Sequence, residues 1–122
     1  MNCSSLKTLN INNFKTSNVA DMSTMFGGCS SLESLDVSSF DTSKVKKMHS
    51  MFESCKNLKN VKGVENFNTS NVENMCDMFK GCEALSADCS GWNVVEVTKH
   101  SGFRNINENT ANTNIIEPNW VS

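Results

Sequence analysis

The sequence predicts an α/β repeat protein, a short solenoid whose units each contribute a strand, a turn, a short helix and a second turn. Three observations carry this. Cysteines recur at a near-constant interval, at Cys3, Cys29, Cys55 and Cys82. Other apolar positions keep the same phase: Leu6, Leu32, Leu58 and Leu85; Phe14, Phe40, Phe67 and Trp92; Val19, Val45, Val72 and Val97. Met22, Met48 and Met75 follow, then Met25-Phe26, Met51-Phe52 and Met78-Phe79. The third observation is composition: 17 Ser, 8 Thr and 18 Asn in 122 residues, the types that bond their own backbone at turns.

The strand comes first in each unit. Leu32, Leu35 and Val37 have Leu-x-x-Leu-x-Val spacing, and the last two alternate with period two, as one buried strand face does. The helix follows. Val45, Met48, Met51 and Phe52 fall at relative positions 0, 3, 6 and 7, an α or 3-10 stripe. Thr16-Ser17, Thr42-Ser43 and Thr69-Ser70 precede these stripes and read as N-caps. Gly28 and Gly81 close the unit, where an unusual backbone angle costs glycine least.

One such unit cannot bury its apolar face alone. Stacked copies can, with strands pairing in parallel at about 4.8 Å per layer and like residues forming ladders inside. Methionine is flexible, so Met ladders tolerate small changes of geometry.

The units are expected at about 3–28, 29–54, 55–81 and 82–103, a repeat region over 1–103. The third is one residue longer, so Gly63 is expected at a bulge that lets Val61 and Val64 both face inward. In the fourth, Ala87 and Cys89 replace Leu35 and Val37, and His100 and Phe103 take methionine positions. Residues 104–122 end in an Ile115-Ile116-Glu117-Pro118-Asn119-Trp120 cluster and read as a C-terminal cap. The N-terminal end begins at a strand and reads as an open edge, either of a fragment or of a short form that pairs with another copy.

The segments Phe14-Lys-Thr-Ser-Asn-Val-Ala-Asp-Met-Ser-Thr-Met-Phe26 and Phe67-Asn-Thr-Ser-Asn-Val-Glu-Asn-Met-Cys-Asp-Met-Phe79 resemble the BspA-like branch of leucine-rich repeats. More closely, they resemble the mycoplasma-type surface-protein repeat, whose unit has this same length, over roughly positions 3–103. The resemblance implies a leucine-rich-repeat solenoid with a parallel β-sheet on one face and short α or 3-10 helices on the other. It also implies a secreted or surface location and a role in adhesion or host-protein binding.

A formal charge of −2 gives no reason to expect nucleic acid as a partner, and no apolar run is long enough for membrane insertion. The first residues, Met1-Asn2-Cys3-Ser4-Ser5, show no signal-peptide pattern. No cofactor or metal is expected. The ladder cysteines and Cys89 read as buried thiols acting as small hydrophobes, since no Cys-x₂–₄-Cys pair is present and parallel register seldom orients side chains for a disulfide. Cys76 stands where Ser23 and His49 stand in other units, so it reads as an exposed thiol. His49 reads as a solvated surface residue and His100 as a structural one. No spacing supports a nucleophile–base constellation or a paired carboxylate, so an enzyme is not expected.

What remains is a strip of outward strand positions: Thr8, Asn10 and Asn12; Ser34, Asp36 and Ser38; Asn60, Lys62 and Glu65; Asp88 and Ser90. This polar strip is the candidate protein-binding face, for a host protein or for a second copy. It has no aromatic or arginine anchor, so each contact is expected to be weak and to gain strength by repetition. The alternatives are a structural spacer in a larger surface protein and self-association through the N-terminal edge.

Overall fold

Between Val45 and Cys55 the backbone amides find three kinds of acceptor, one of them in the preceding repeat, where Lys46 donates to the Ala20 carbonyl at 2.8 Å. Met48, Ser50, Phe52 and Ser54 donate to the carbonyls of Asn74, Cys76, Met78 and Lys80, one repeat onward, at 2.9, 2.9, 2.8 and 2.6 Å. Val45, Met51, Glu53 and Cys55 donate to nearby carbonyls in their own turns, those of Thr42, Met48, Ser50 and Phe52. An α-helix needs each of these amides for the carbonyl one full helical turn back. Bonding to the neighbouring repeat therefore excludes the helix.

This computed structural model describes residues 5–121. Its fold is not the α/β leucine-rich-repeat solenoid that the sequence predicts. Among the described residues there is no α-helix, and the one helical element is a 3-10 turn at Val64–Asn66. The strands are very short: β1 (Ser34–Asp36), β2 (Asn60–Lys62), β3 (Ala87–Asp88), β4 (Asn105–Asn107), β5 (Thr110–Ala111) and β6 (Ile115–Ile116). They form three separate two-stranded sheets, β1–β2 and β3–β6 parallel and β4–β5 antiparallel, in place of one continuous parallel sheet. Single parallel bridges join Asp21 to Lys47, Lys47 to Asn74 and Asn74 to Lys99.

Turns replace the helices because a 0, 3, 6, 7 spacing does not require one. Each short turn advances the chain by one apolar position, and Val45, Met48, Met51 and Phe52 are all fully buried. The turns use left-handed backbone at Thr24, Ser50, Ser54 and Asp77, with φ of 60°, 58°, 66° and 57°. Such a conformation costs a non-glycine residue about 1 kcal/mol. The cross-repeat bonds of the adjoining amides hold it in place.

Side chains of the same repeat position pack against one another. Phe26, Phe52 and Phe79 stack at centroid separations of 5.5 and 5.3 Å, and Phe103 closes that stack edge-on at 5.2 Å and 83°. Full burial of each such ring contributes roughly 2 kcal/mol. Leu32, Leu58 and Leu85, and Met22, Met48 and Met75, are buried in the same way. The first repeat is different. Leu6 is 43% and Phe14 48% exposed, whereas Leu32 and Leu58 are 0% and Phe67 is 6% exposed. The expected places of Cys3 in the cysteine ladder and of the first unit's start lie outside the described residues.

The threonines are not N-caps of their own turns. The Thr42 hydroxyl accepts from the Asn68 amide at 2.8 Å and donates to the Asn68 carbonyl at 3.1 Å. Thr16 accepts from the Asp41 amide and Thr69 donates to the Asn93 carbonyl, so each buried threonine ties its repeat to the next. Gly63 has φ of 91°, and a Cβ there would lie 2.6 Å from the Ser38 Cα. The extra residue of this repeat thus forms a left-handed step that opens the Val64–Asn66 turn, and Val61 and Val64 are both buried.

After Phe103 the chain makes the β4–β5 hairpin and returns to pair β6 with β3. The Asn112 side chain donates to the Cys82 and Leu85 carbonyls at 2.7 and 2.9 Å. Arg104 pairs with Glu117 at 3.1 Å and donates to the Ile115 carbonyl. Trp120 stacks on His100 at 4.0 Å and meets Phe103 edge-on at 5.1 Å.

Candidate protein-binding face

The β1–β2 register places Ser34 beside Asn60 and Asp36 beside Lys62. Both pairs result from a constant repeat period that leaves alternate strand positions outward. Thr8, Ser34, Asp36, Asn60 and Lys62, with Leu9 and Leu35, line a shallow cleft of about 260 Å³. Thr8, Asn10, Asn12 and Asp36, with Leu9 and Ile11, line an adjoining one of about 250 Å³. Seven of the expected strip residues thus come together, and Thr8 and Asp36 belong to both clefts.

Ser38, Glu65, Asp88 and Ser90 are exposed but line neither cleft. Ser38 lies under Gly63, Glu65 sits in the 3-10 turn, and Asp88 on β3 pairs with Ile116 on β6. Ile116 is half exposed and stands beside Asp88 as an apolar position. The repeat reading missed it because it lies beyond Phe103. Its only sequence signal was the Ile115-Ile116 pair, whose partner strand is remote in the chain.

The carboxylates of this face are tied to their own turns. Asp36 accepts from the Ser38 hydroxyl at 2.5 Å and the Ser38 amide at 2.9 Å; Asp88 accepts from Ser90 likewise at 2.6 and 3.0 Å. These hydroxyl bonds, then the amide bonds, hold both carboxyls below the ordinary aspartate value. The same device recurs at Asp41 with Ser43, at Asn68 with Ser70 and at Asp21 with Ser23. An Asp/Asn-x-Ser signal marks it in the sequence.

The other singled-out side chains differ from expectation. Cys29 is disulfide-bonded rather than a free buried thiol. Cys55, Cys82 and Cys89 are free and buried, and burial pushes the Cys89 thiol up. Cys76 is half-buried rather than exposed, with its sulfur 3.5 Å from the Ser101 hydroxyl. His49 is not a solvated residue. It is half-buried, and its Nδ1 is covered and has no hydrogen-bond partner. The backbone on either side of it bonds to the next repeat, Met48 to Asn74 and Ser50 to Cys76.

Among the described residues no group of three His, Cys, Asp or Glu side chains is placed to hold a metal ion. No helix among them is long and apolar enough to cross a membrane.

A family model described as Mycoplasma protein of unknown function, DUF285, matches residues 1–120. The chain belongs to this family. No curated protein and no solved structure matches it. The mycoplasma-type resemblance of the Phe-x-Thr-Ser-x-Val-x-x-Met-x-x-Met-Phe segments thus holds at the level of DUF285. The match does not extend to the BspA-like leucine-rich branch, and among the described residues there is no α-helix.

Proposed function

We propose that this DUF285 chain is a non-catalytic protein-binding module of a secreted or surface-displayed protein, and that the paired clefts are its binding face. The observation that carries this reading is the convergence of seven polar strip residues on two adjoining clefts floored by Leu9, Ile11 and Leu35. Short polar groups over an apolar floor suit an extended peptide segment, whose backbone would meet Asn and Ser side chains while Lys62 and Asp36 set the charge register. Aspartates held ionised by serine bonds are poor general acids or bases near neutrality, which favours binding over catalysis. The Cys29 disulfide favours an oxidising compartment, as a secreted or surface protein would meet.

The test is capture of host surface proteins by the immobilised chain, with Lys62→Glu and Asn60→Ala as variants at exposed positions. Markedly weaker capture by the double variant, by about tenfold, is expected. Capture unchanged by the double variant, with its fold intact by circular dichroism, removes the face from consideration. A second reading, self-association at the N-terminal repeat, draws on the exposure of Leu6 and Phe14. Sedimentation at several concentrations tests it, and a monomer throughout excludes it.

A further inference from the structure

Cys55 and Cys82 each place their sulfur against the main chain of the cysteine one repeat before. The Phe52 carbonyl accepts from the Cys55 amide at 3.2 Å and from the Cys82 thiol at 3.0 Å. One repeat earlier, the Phe26 carbonyl accepts from the Cys29 amide at 3.2 Å and from the Cys55 thiol at 3.1 Å. One oxygen thus ties each thiol to the preceding cysteine's backbone. Cys55 and Cys82 are both 0% exposed and hold the same position in successive repeats, each sulfur set against a carbonyl of the repeat before. Repeats in parallel pairing stand about 4.8 Å apart, inside the Cα range that a disulfide spans.

We propose that Cys55 and Cys82 are a latent disulfide site, a covalent clamp between the second and third repeats that closes under oxidising conditions. The oxidant is a small-molecule disulfide. The Cys55 thiolate attacks one of its sulfurs and displaces one thiolate. The Cys82 thiolate then attacks the Cys55 sulfur of the mixed disulfide and displaces the second. Two thiols lose two electrons and two protons, the oxidant becomes two thiols, and one S–S bond replaces another. With both sulfurs buried, the exchange needs transient opening of the stack or takes place during folding. In the closed fold each group donates its thiol proton to a main-chain carbonyl, Cys55 to Phe26 and Cys82 to Phe52, and so rests as a thiol.

The clamp would close the loop that runs from Cys55 to Cys82 and restrict the unfolded chain accordingly. Oxidation is therefore expected to raise Tm by roughly 10 °C. The experiment refolds the whole chain in a glutathione redox buffer, alkylates the remaining thiols in denaturant and maps the peptides. Cleavage after Lys47, Lys56, Lys80 and Glu83 separates Cys55, Cys82 and Cys89. Expected are a Cys55–Cys82 peptide and the loss of both residues from the alkylated thiols, with Cys76 and Cys89 still alkylated. In Cys55→Ala, Cys82 remains a thiol and the Tm gain is absent. Alkylated Cys55 and Cys82 after oxidation, or a Cys29–Cys55 bond in place of Cys55–Cys82, would overturn the proposal. The wild-type peptide map decides the matter even if the variant fails to fold.

Discussion

Thr42 and Asn68 hold each other across the boundary between two repeats: one hydroxyl takes the amide at 2.8 Å and gives its proton to the carbonyl of the same residue at 3.1 Å. Thr42 is 2% exposed, so water cannot take over either bond. The position opposite, in the last repeat, is Val94, where no further repeat follows to be tied.

Thr42→Val keeps the shape and removes both bonds, leaving a donor and an acceptor of Asn68 without partners. A loss of about 2 kcal/mol in urea unfolding is expected, with Thr42→Ser restoring most of it. A change below about 0.5 kcal/mol would mean that the hydroxyl is not the tie between repeats.

Gly63 and Gly28 both have left-handed backbone, at φ of 91° and 78°, but of the two only Gly63 has other chain where a Cβ would point. A Cβ on Gly28 meets nothing within 4 Å, whereas one on Gly63 meets Ser38 backbone atoms at 2.6 and 2.8 Å. Gly28→Ala should cost about 1 kcal/mol and Gly63→Ala about 3 kcal/mol. Equal losses in parallel denaturation curves would refute the close approach at Ser38.

Asp21, Asp36, Asp41 and Asp88 are all held below the unfolded value of 3.8, first by a serine hydroxyl and then by the same serine's amide. A carboxylate lowered in this way adds stability that is complete above the unfolded value and is lost as pH falls through the folded one. Tm should therefore hold from neutrality down to about pH 4 and decline below it. Asparagine keeps the acceptor oxygen without the charge, so the triple variant Asp36→Asn, Asp41→Asn, Asp88→Asn should show a shallower acid decline. An acid decline as steep as in the unsubstituted chain would show that these turns do not couple folding to protons.

The clefts were legible only in part. Alternation in Ser34, Leu35 and Asp36 marked the outward positions, and the repeat period put Asn60 and Lys62 beside them. The repeat pattern assigns Asp88 to the same face, but β3 pairs with β6, so Asp88 stands beside Ile116. No periodic signal could show this, because the chain beyond Phe103 does not repeat.

By itself the sequence determined most of the shielded positions, though Leu6 and Phe14 keep the same phase and stay exposed. Leu58, Val72, Met75 and Phe79 are fully buried, because recurrence of apolar side chains at one period brings like surfaces together whatever the local backbone does. Only the tertiary structure decided the backbone. A helix and a chain of short turns present Val45, Met48, Met51 and Phe52 to the same side, and the choice rests with the amides of Met48, Ser50 and Phe52. Their acceptors, Asn74, Cys76 and Met78, belong to the next repeat, so a local pattern of side chains carries no record of them.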